Sequence, residues 1–141
     1  MNNNRIELSK YRMEQGKNYV HVAKKLFDDK EYKSSINRAY YAVYHSIRAI
    51  FALDEIDFKT HKSVINNFNI NYVRTNIFPE DVASKVGRLK YIRESSDYND
   101  FFVISRNDAF THLESAEYII PLIETHLNNR YAELGQPQLE Q

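Results

Sequence analysis

Cysteine is absent from the 141 residues, which removes disulfides, thiolate nucleophiles and zinc–sulfur sites together. That absence fits a reducing compartment, and we expect a cytoplasmic protein. Tryptophan is missing too, and three glycines and three prolines leave little material for tight turns, so long helices are expected. Charge of neither sign prevails. Nineteen basic residues face nineteen acidic ones, so no global field draws the chain to nucleic acid or membrane, and any nucleic-acid site must be a local patch. No window approaches the roughly 20 apolar residues of a membrane span, and the opening MNNNRIELSKY lacks the apolar run of a signal peptide. The length suits one domain with a real core, and eleven tyrosines and eight phenylalanines are on hand to build it.

The chain is organised around residues 32–51, YKSSINRAYYAVYHSIRAIF, a helix of about five turns without Gly or Pro. At about 100° per residue, Ile36, Tyr40, Val43, Ile47, Ile50 and Phe51 share one broad side, the expected core face. Arg38, Ala42, His45 and Ala49 fall opposite. That stripe is unusual for a solvent face, with two alanines where Glu or Lys is common. Small residues admit another body closely, either a second helix or a ligand.

Residues 5–29 form an earlier helical pattern, clearest where Tyr19, Val22, Ala23, Leu26 and Phe27 share a face, with Gly16 weakening its middle. A short connection at Asp28, Asp29 and Lys30 returns the next helix antiparallel to it. After a loop over 53–59, Thr60 can cap a short helix over 61–68, and residues 69–78 read as polar and irregular. Pro79, followed by Glu80 and Asp81, suits a helix start. That helix runs to about Ser95, with Val82, Val86, Leu89 and Ile92 inward and Lys85, Arg88 and Arg93 outward. Ser105 with Asp108 opens the last helix as a capping-box variant. Its apolar side comprises Ala109, Phe110, Leu113, Ala116, Ile119, Ile120 and Ile123, and Pro121 should kink it or end it early. No repeat and no period-two strand is evident. The expectation is an all-α, antiparallel up-and-down four-helix bundle with one additional short helix, over residues 1–127. Residues 128–141 read as a polar, flexible tail.

Arg38 and His45 lie seven apart, about 20° from alignment and about 10.5 Å along the axis. A guanidinium offers a fork of donors to phosphate, and an imidazole moves protons near neutral pH. Together they suit metal-free RNA cleavage, in which the ribose 2′-hydroxyl attacks the neighbouring phosphorus. Both side chains lean toward the helix N-terminus, so the gap is awkward within one chain. A two-fold dimer packing this face against its copy would gather two of each. The plainer reading is a buried imidazole bonded to a tyrosine, with Arg38 paired to a carboxylate. Arg106 and His112 also stand in arginine–histidine spacing, but six residues turn them about 120° apart, so chance explains them better. His21 and His126 read as surface residues. No HExxH, His–carboxylate pair or Gly-rich phosphate loop occurs, so no metal or nucleoside-triphosphate cofactor is expected.

The run Arg38-Ala-Tyr-Tyr-Ala-Val-Tyr-His45 resembles the arginine–six residues–histidine motif of the HEPN domain family (higher eukaryotes and prokaryotes nucleotide-binding). Lys59-Thr60-His61 is similar to a lysine–threonine–histidine segment of one bacterial and archaeal branch. Arg93 followed by Asp97-Tyr98-Asn99-Asp100-Phe101 resembles that branch's arginine and Asp-Tyr-Asp-Asp segment, with Asn99 in place of one acid. Each motif is short, but the ordered set spans roughly residues 19–127. The resemblance implies a dimeric bundle, often paired with a nucleotidyltransferase antitoxin or found in defence systems. Many such proteins are metal-independent ribonucleases; others bind nucleotide or RNA without cleaving it. Carried over, Arg38 binds phosphate, His45 is the general acid–base, and Tyr41, about one turn from each, can position either. Lys59, His61, Lys62 and Arg93 can form a basic RNA-binding rim, or simply sit as solvated charges around a capped helix. Tyr98 can stack a base, or seal the bundle end while Asp97 caps a turn. Tyr41 or Tyr44 would be the tyrosines within reach of a modifying partner.

Overall fold

The computed structural model describes residues 4–140. Five α-helices account for most of it: α1 (Asn4–Asp28), α2 (Tyr32–Leu53), α3 (His61–Phe68), α4 (Asp81–Tyr98) and α5 (Arg106–Glu133). No strand occurs among the described residues, so the all-α bundle with a short extra helix is the architecture. Helix α2 is central. It packs on α1, α3, α4 and α5, and its largest shared face is with α1. The predicted inner side of α2 is buried throughout, from Ile36 and Tyr40 to Ile50 and Phe51.

The two alanines of the opposite stripe are fully buried as well, and the body covering them is α1. Small residues recur every seven positions on both helices and meet in antiparallel register. Ser9 Oγ donates to the Ala49 carbonyl at 2.7 Å, Gly16 lies against Ala42 and Ser46, and Ser35 Oγ donates to the Ala23 carbonyl at 2.8 Å. Gly16 therefore does not weaken α1. A Cβ placed there would stand 2.2 Å from Ser46 Oγ and 2.8 Å from the Ala42 carbonyl oxygen, so only glycine admits this approach. The helix runs through it unbroken because the contact offsets the low propensity of one residue. The serine hydroxyls are absorbed by backbone carbonyls. Ser9 also accepts from Tyr131 on α5 at 2.7 Å, a phenol whose pKa burial pushes up to about 12.

Caps are where expected. Thr60 accepts from the Ser63 amide and Ser105 from the Asp108 amide, each at 3.0 Å, and Val82, Val86, Leu89 and Ile92 point inward from α4. Four expectations need correcting. Residues 69–78 are not an irregular polar stretch: Asn69–Val73 continues α3 as a π-helical turn that buries Tyr72 and Val73, and Phe78 packs beside them. Pro121 does not end α5, which continues to Glu133. Its ring is exposed, and the carbonyl that loses a donor there lies on the solvent side, where water can serve it. Phe110 is 43% exposed, leaning on Phe27 rather than entering the core. Residues 128–133 are helix rather than tail, with Asn128 and Tyr131 buried. Beyond them Leu139 is buried too, its amide donating to Asn128 Oδ1 at 2.8 Å, while Lys17 Nζ donates to the Glu140 carbonyl.

Candidate functional site

The α1–α2 seam that swallows the alanines leaves Arg38 and His45 at its edge. Tyr19, from α1, stands between them. Its ring stacks on the His45 imidazole at 5.2 Å and 10°, and the Arg38 guanidinium lies 5.7 Å from the same centroid. The two functional groups are thus within about 11 Å of each other, tied to one aromatic plate. From the sequence, Tyr19 read only as part of an apolar helix face. The signal that could have found it is register: position 19 sits midway between Gly16 and Ala23, opposite the Arg38 turn of α2.

Arg38 is exposed, and no ion pair among the described residues involves it. It borders a shallow cleft of about 220 Å³ with Lys33, Ser34, Asn37 and Asp97. His45 is half-buried, and its Nδ1 is buried with no hydrogen-bond partner. Burial first, then the charges of Arg48, Arg12 and His61, hold its pKa below the ordinary histidine value. A neutral imidazole can accept a proton at a ring nitrogen that a ligand reaches, which the sealed Nδ1 is not, and an unpaired guanidinium can receive an anion. The bonded, ion-paired alternative describes neither residue.

It describes His61 instead. His61 Nδ1 is hydrogen-bonded to the Tyr40 hydroxyl at 2.7 Å, and its ring stacks 4.0 Å from Tyr44. Burial pushes the Tyr40 pKa well up and the His61 pKa down, the latter helped by Arg93, Lys90 and Arg48. The bond therefore joins a neutral phenol to a neutral imidazole. Arg93 faces inward rather than outward: it donates to Tyr41 Oη at 2.8 Å, pairs with Asp97 at 3.0 Å and lies over the rings of Tyr40 and Tyr41. The supporting residue Tyr41 thus connects Arg93 to His45, whose ring is 6.0 Å away. Asp97 pairs along its own helix instead of capping a turn, and Tyr98, 87% exposed, seals nothing. Tyr44 is buried at 8% exposure, so of the two tyrosines beside the motif Tyr41 shows more surface.

The structure thus gathers the Arg38–His45 run, His61, Arg93 and Asp97 around the middle of α2, while Lys59 and Lys62 remain exposed charges on either side of His61. Arg106 and His112 do not meet: the first lies over Phe27, and the second is buried with Nδ1 on the Asp108 carbonyl. His21 is exposed, as expected. His126 is not a surface residue. It is half-buried edge-on to Tyr72 and Phe78, with Nε2 unpartnered, and burial lowers its pKa. The error has a cause: residues 69–78 supply its aromatic cover, and that stretch had read as irregular.

Comparison with known proteins places nearly the whole helical region in one family. A family model for the HEPN domain matches residues 9–126. A UPF0332 protein of Archaeoglobus fulgidus is 30% identical over 118 residues, 83% of this chain and 93% of that one. A UPF0332 protein of Thermotoga maritima is 22% identical over 86% of this chain and 92% of its own length. A protein of Methanocaldococcus jannaschii named "Putative toxin MJ0605" is 31% identical over 77 residues, 55% of this chain and 58% of its own.

Proposed function

The chain belongs to the HEPN domain family, and from that premise we propose that it is a metal-independent endoribonuclease acting as a toxin or defence effector. One observation carries the reading. Arg38 has no carboxylate partner, and it shares the Tyr19 ring with an imidazole that is held neutral and keeps one nitrogen unused. In the reaction His45 takes the proton of a ribose 2′-hydroxyl as that oxygen bonds to the adjacent phosphorus. Arg38 offsets the extra negative charge of the phosphorane. The P–O5′ bond then breaks, the imidazolium returns its proton to the departing 5′ oxygen, and a 2′,3′-cyclic phosphate and a 5′-hydroxyl remain. General acid–base catalysis of this kind contributes about 10²–10⁴-fold.

A single chain leaves Arg38 and His45 far apart for one phosphate, which favours a homodimer with two pairs in a shared cleft. The alanine stripe cannot form that contact, because α1 already covers it. The exposed edge carrying Arg38 and Tyr19 is the surface left for a copy. The same separation also favours a second reading: a bundle that holds RNA or a nucleotide, or partners a nucleotidyltransferase antitoxin, without cleaving.

The test is RNA cleavage in EDTA by wild type, Arg38→Ala and His45→Ala, with melting followed in parallel. Activity in chelator, lost in both folded variants, supports the ribonuclease. Inactivity toward transfer, ribosomal and messenger RNA, with RNA binding retained, supports the binding module. Cleavage surviving both substitutions removes these residues from the chemistry.

A further inference from the structure

Beyond His45, away from Arg38, the same seam carries a second group of cations that the cleavage chemistry does not use. Arg12 of α1 donates through Nη1 to the Arg48 backbone carbonyl of α2 at 3.1 Å, close enough for the charge of Arg48 to act on Arg12. Arg48 lies over the Tyr44 ring at 5.9 Å, and its Nε is buried without a hydrogen-bond partner. The carboxylate facing the pair is Asp57, 3.5 Å from Arg48 and 72% exposed, a long and wet contact of little energetic weight. Burial and then the charge of Arg48 lower the pKa of Arg12. Two partly buried guanidiniums with so little neutralisation gain little for folding. Such excess positive charge beside a reactive imidazole is an attraction for an anion.

We propose that Arg12 and Arg48 form a second phosphate subsite, which holds a neighbouring phosphate of a single-stranded RNA laid along the α1–α2 seam. The placement deepens the ribonuclease reading and rests on the strand being its ligand. Along α2, Arg38 precedes His45 by about 10.5 Å and Arg48 follows it by about 4.5 Å, so the imidazole stands between two cationic anchors for phosphate. The seam then fixes more than one phosphate, and His45 meets the backbone at one register only. A groove of about 340 Å³ continues beyond Arg12, lined by Leu8, Ala52 and Ile56 with Arg5, which gives the next nucleotide a partly apolar wall. Asp57, the carboxylate beside Arg48, and Glu55 line the same groove, so its wall is not uniformly cationic.

The experiment uses 2′-O-methyl oligouridines, which bind without being cleaved, and reads fluorescence anisotropy over a salt series. Wild type is expected to bind a longer oligonucleotide more tightly than a dinucleotide, which has a single phosphodiester. Arg48→Gln and Arg12→Gln should each weaken the longer oligonucleotide by about tenfold and lower its salt slope by about 0.7. Dinucleotide binding should stay unchanged. Arg48→Lys, which keeps the charge, guards against a folding defect and should recover most of the slope. Equal length dependence and equal salt slope in wild type and both glutamine variants overturns the subsite, as does wild type that binds no oligonucleotide. Two results keep the proposals distinct. Arginine-dependent binding by a protein that cleaves nothing keeps the subsite and removes the ribonuclease. Cleavage unaffected by either glutamine substitution, with an unchanged slope, does the reverse.

Discussion

His45 and His61 sit against the same helix in opposite conditions. Around His61 the partners are close: Tyr40 meets its Nδ1, Tyr44 covers its face, and Arg93 and Asp97 form an ion pair alongside. Around His45 the partners stop short. One nitrogen has none, the nearest arginines lower its affinity for a proton, and Arg38 across the Tyr19 ring is unpaired. Both histidines lose affinity for a proton through burial, so a shifted pKa alone does not separate a site from a support. Hydrogen bonding tells these two apart: His61 Nδ1 has a partner and His45 Nδ1 has none, and folding leaves a buried polar atom idle only at a cost.

The sharpest way to break this contrast is to remove each imidazole. His45→Ala should lower cleavage by about 10²–10⁴-fold with melting near wild type. His61→Ala strands the Tyr40 hydroxyl in the interior and should cost about 1–3 kcal/mol of stability, read by denaturant titration. Activity lost more from the second than the first would invert the assignment. Next in size is Gly16→Ala, which drives a methyl into the Ala42 carbonyl. About 1–3 kcal/mol should be lost, and cleavage should fall beyond what the unfolded fraction explains. Adding Ser46→Ala relieves the side-chain clash but not the backbone one, so recovery should be partial.

A smaller effect is expected from acid. His45, His61 and His126 are all depressed, with burial the first cause in each. Each is neutral in the folded chain, while the unfolded chain takes up protons near pH 6.5. Their stabilising contribution is complete above that value and falls as the pH drops through it toward their folded pKa values. Melting temperature should decline between about pH 7 and 5, and less steeply in His126→Phe, which removes an unpartnered nitrogen. With His45 as the proposed general base, the acid limb of cleavage should likewise lie below the usual histidine range. Smallest of all, Arg93→Lys should weaken the Tyr41 and Asp97 contacts by less than about 1 kcal/mol and leave the cleavage pH profile in place.

Local chemistry was legible in the sequence. Thr60 and Ser105 announce their helices because a cap needs only a hydroxyl and an amide three residues on, and the core face of α2 follows from its period. Relations between helices were not. That Ala42 and Ala49 face α1, that Tyr19 divides Arg38 from His45, and that Arg93 turns inward all depend on register between segments. No window of one helix encodes that. The three sequence motifs named His61, Arg93 and His45, but which of them are hydrogen-bonded to neighbours and which are not depends on contacts between different helices.

Gly16 has a further consequence. Tyr19 belongs to one helix and the Arg38–His45 pair to the other, so the width of the site is the distance between two rods, and the absence of one side chain sets that distance. The bundle therefore works as a calliper. A methyl group added three residues from Tyr19 would open its jaws without altering Arg38, His45 or Tyr19 itself.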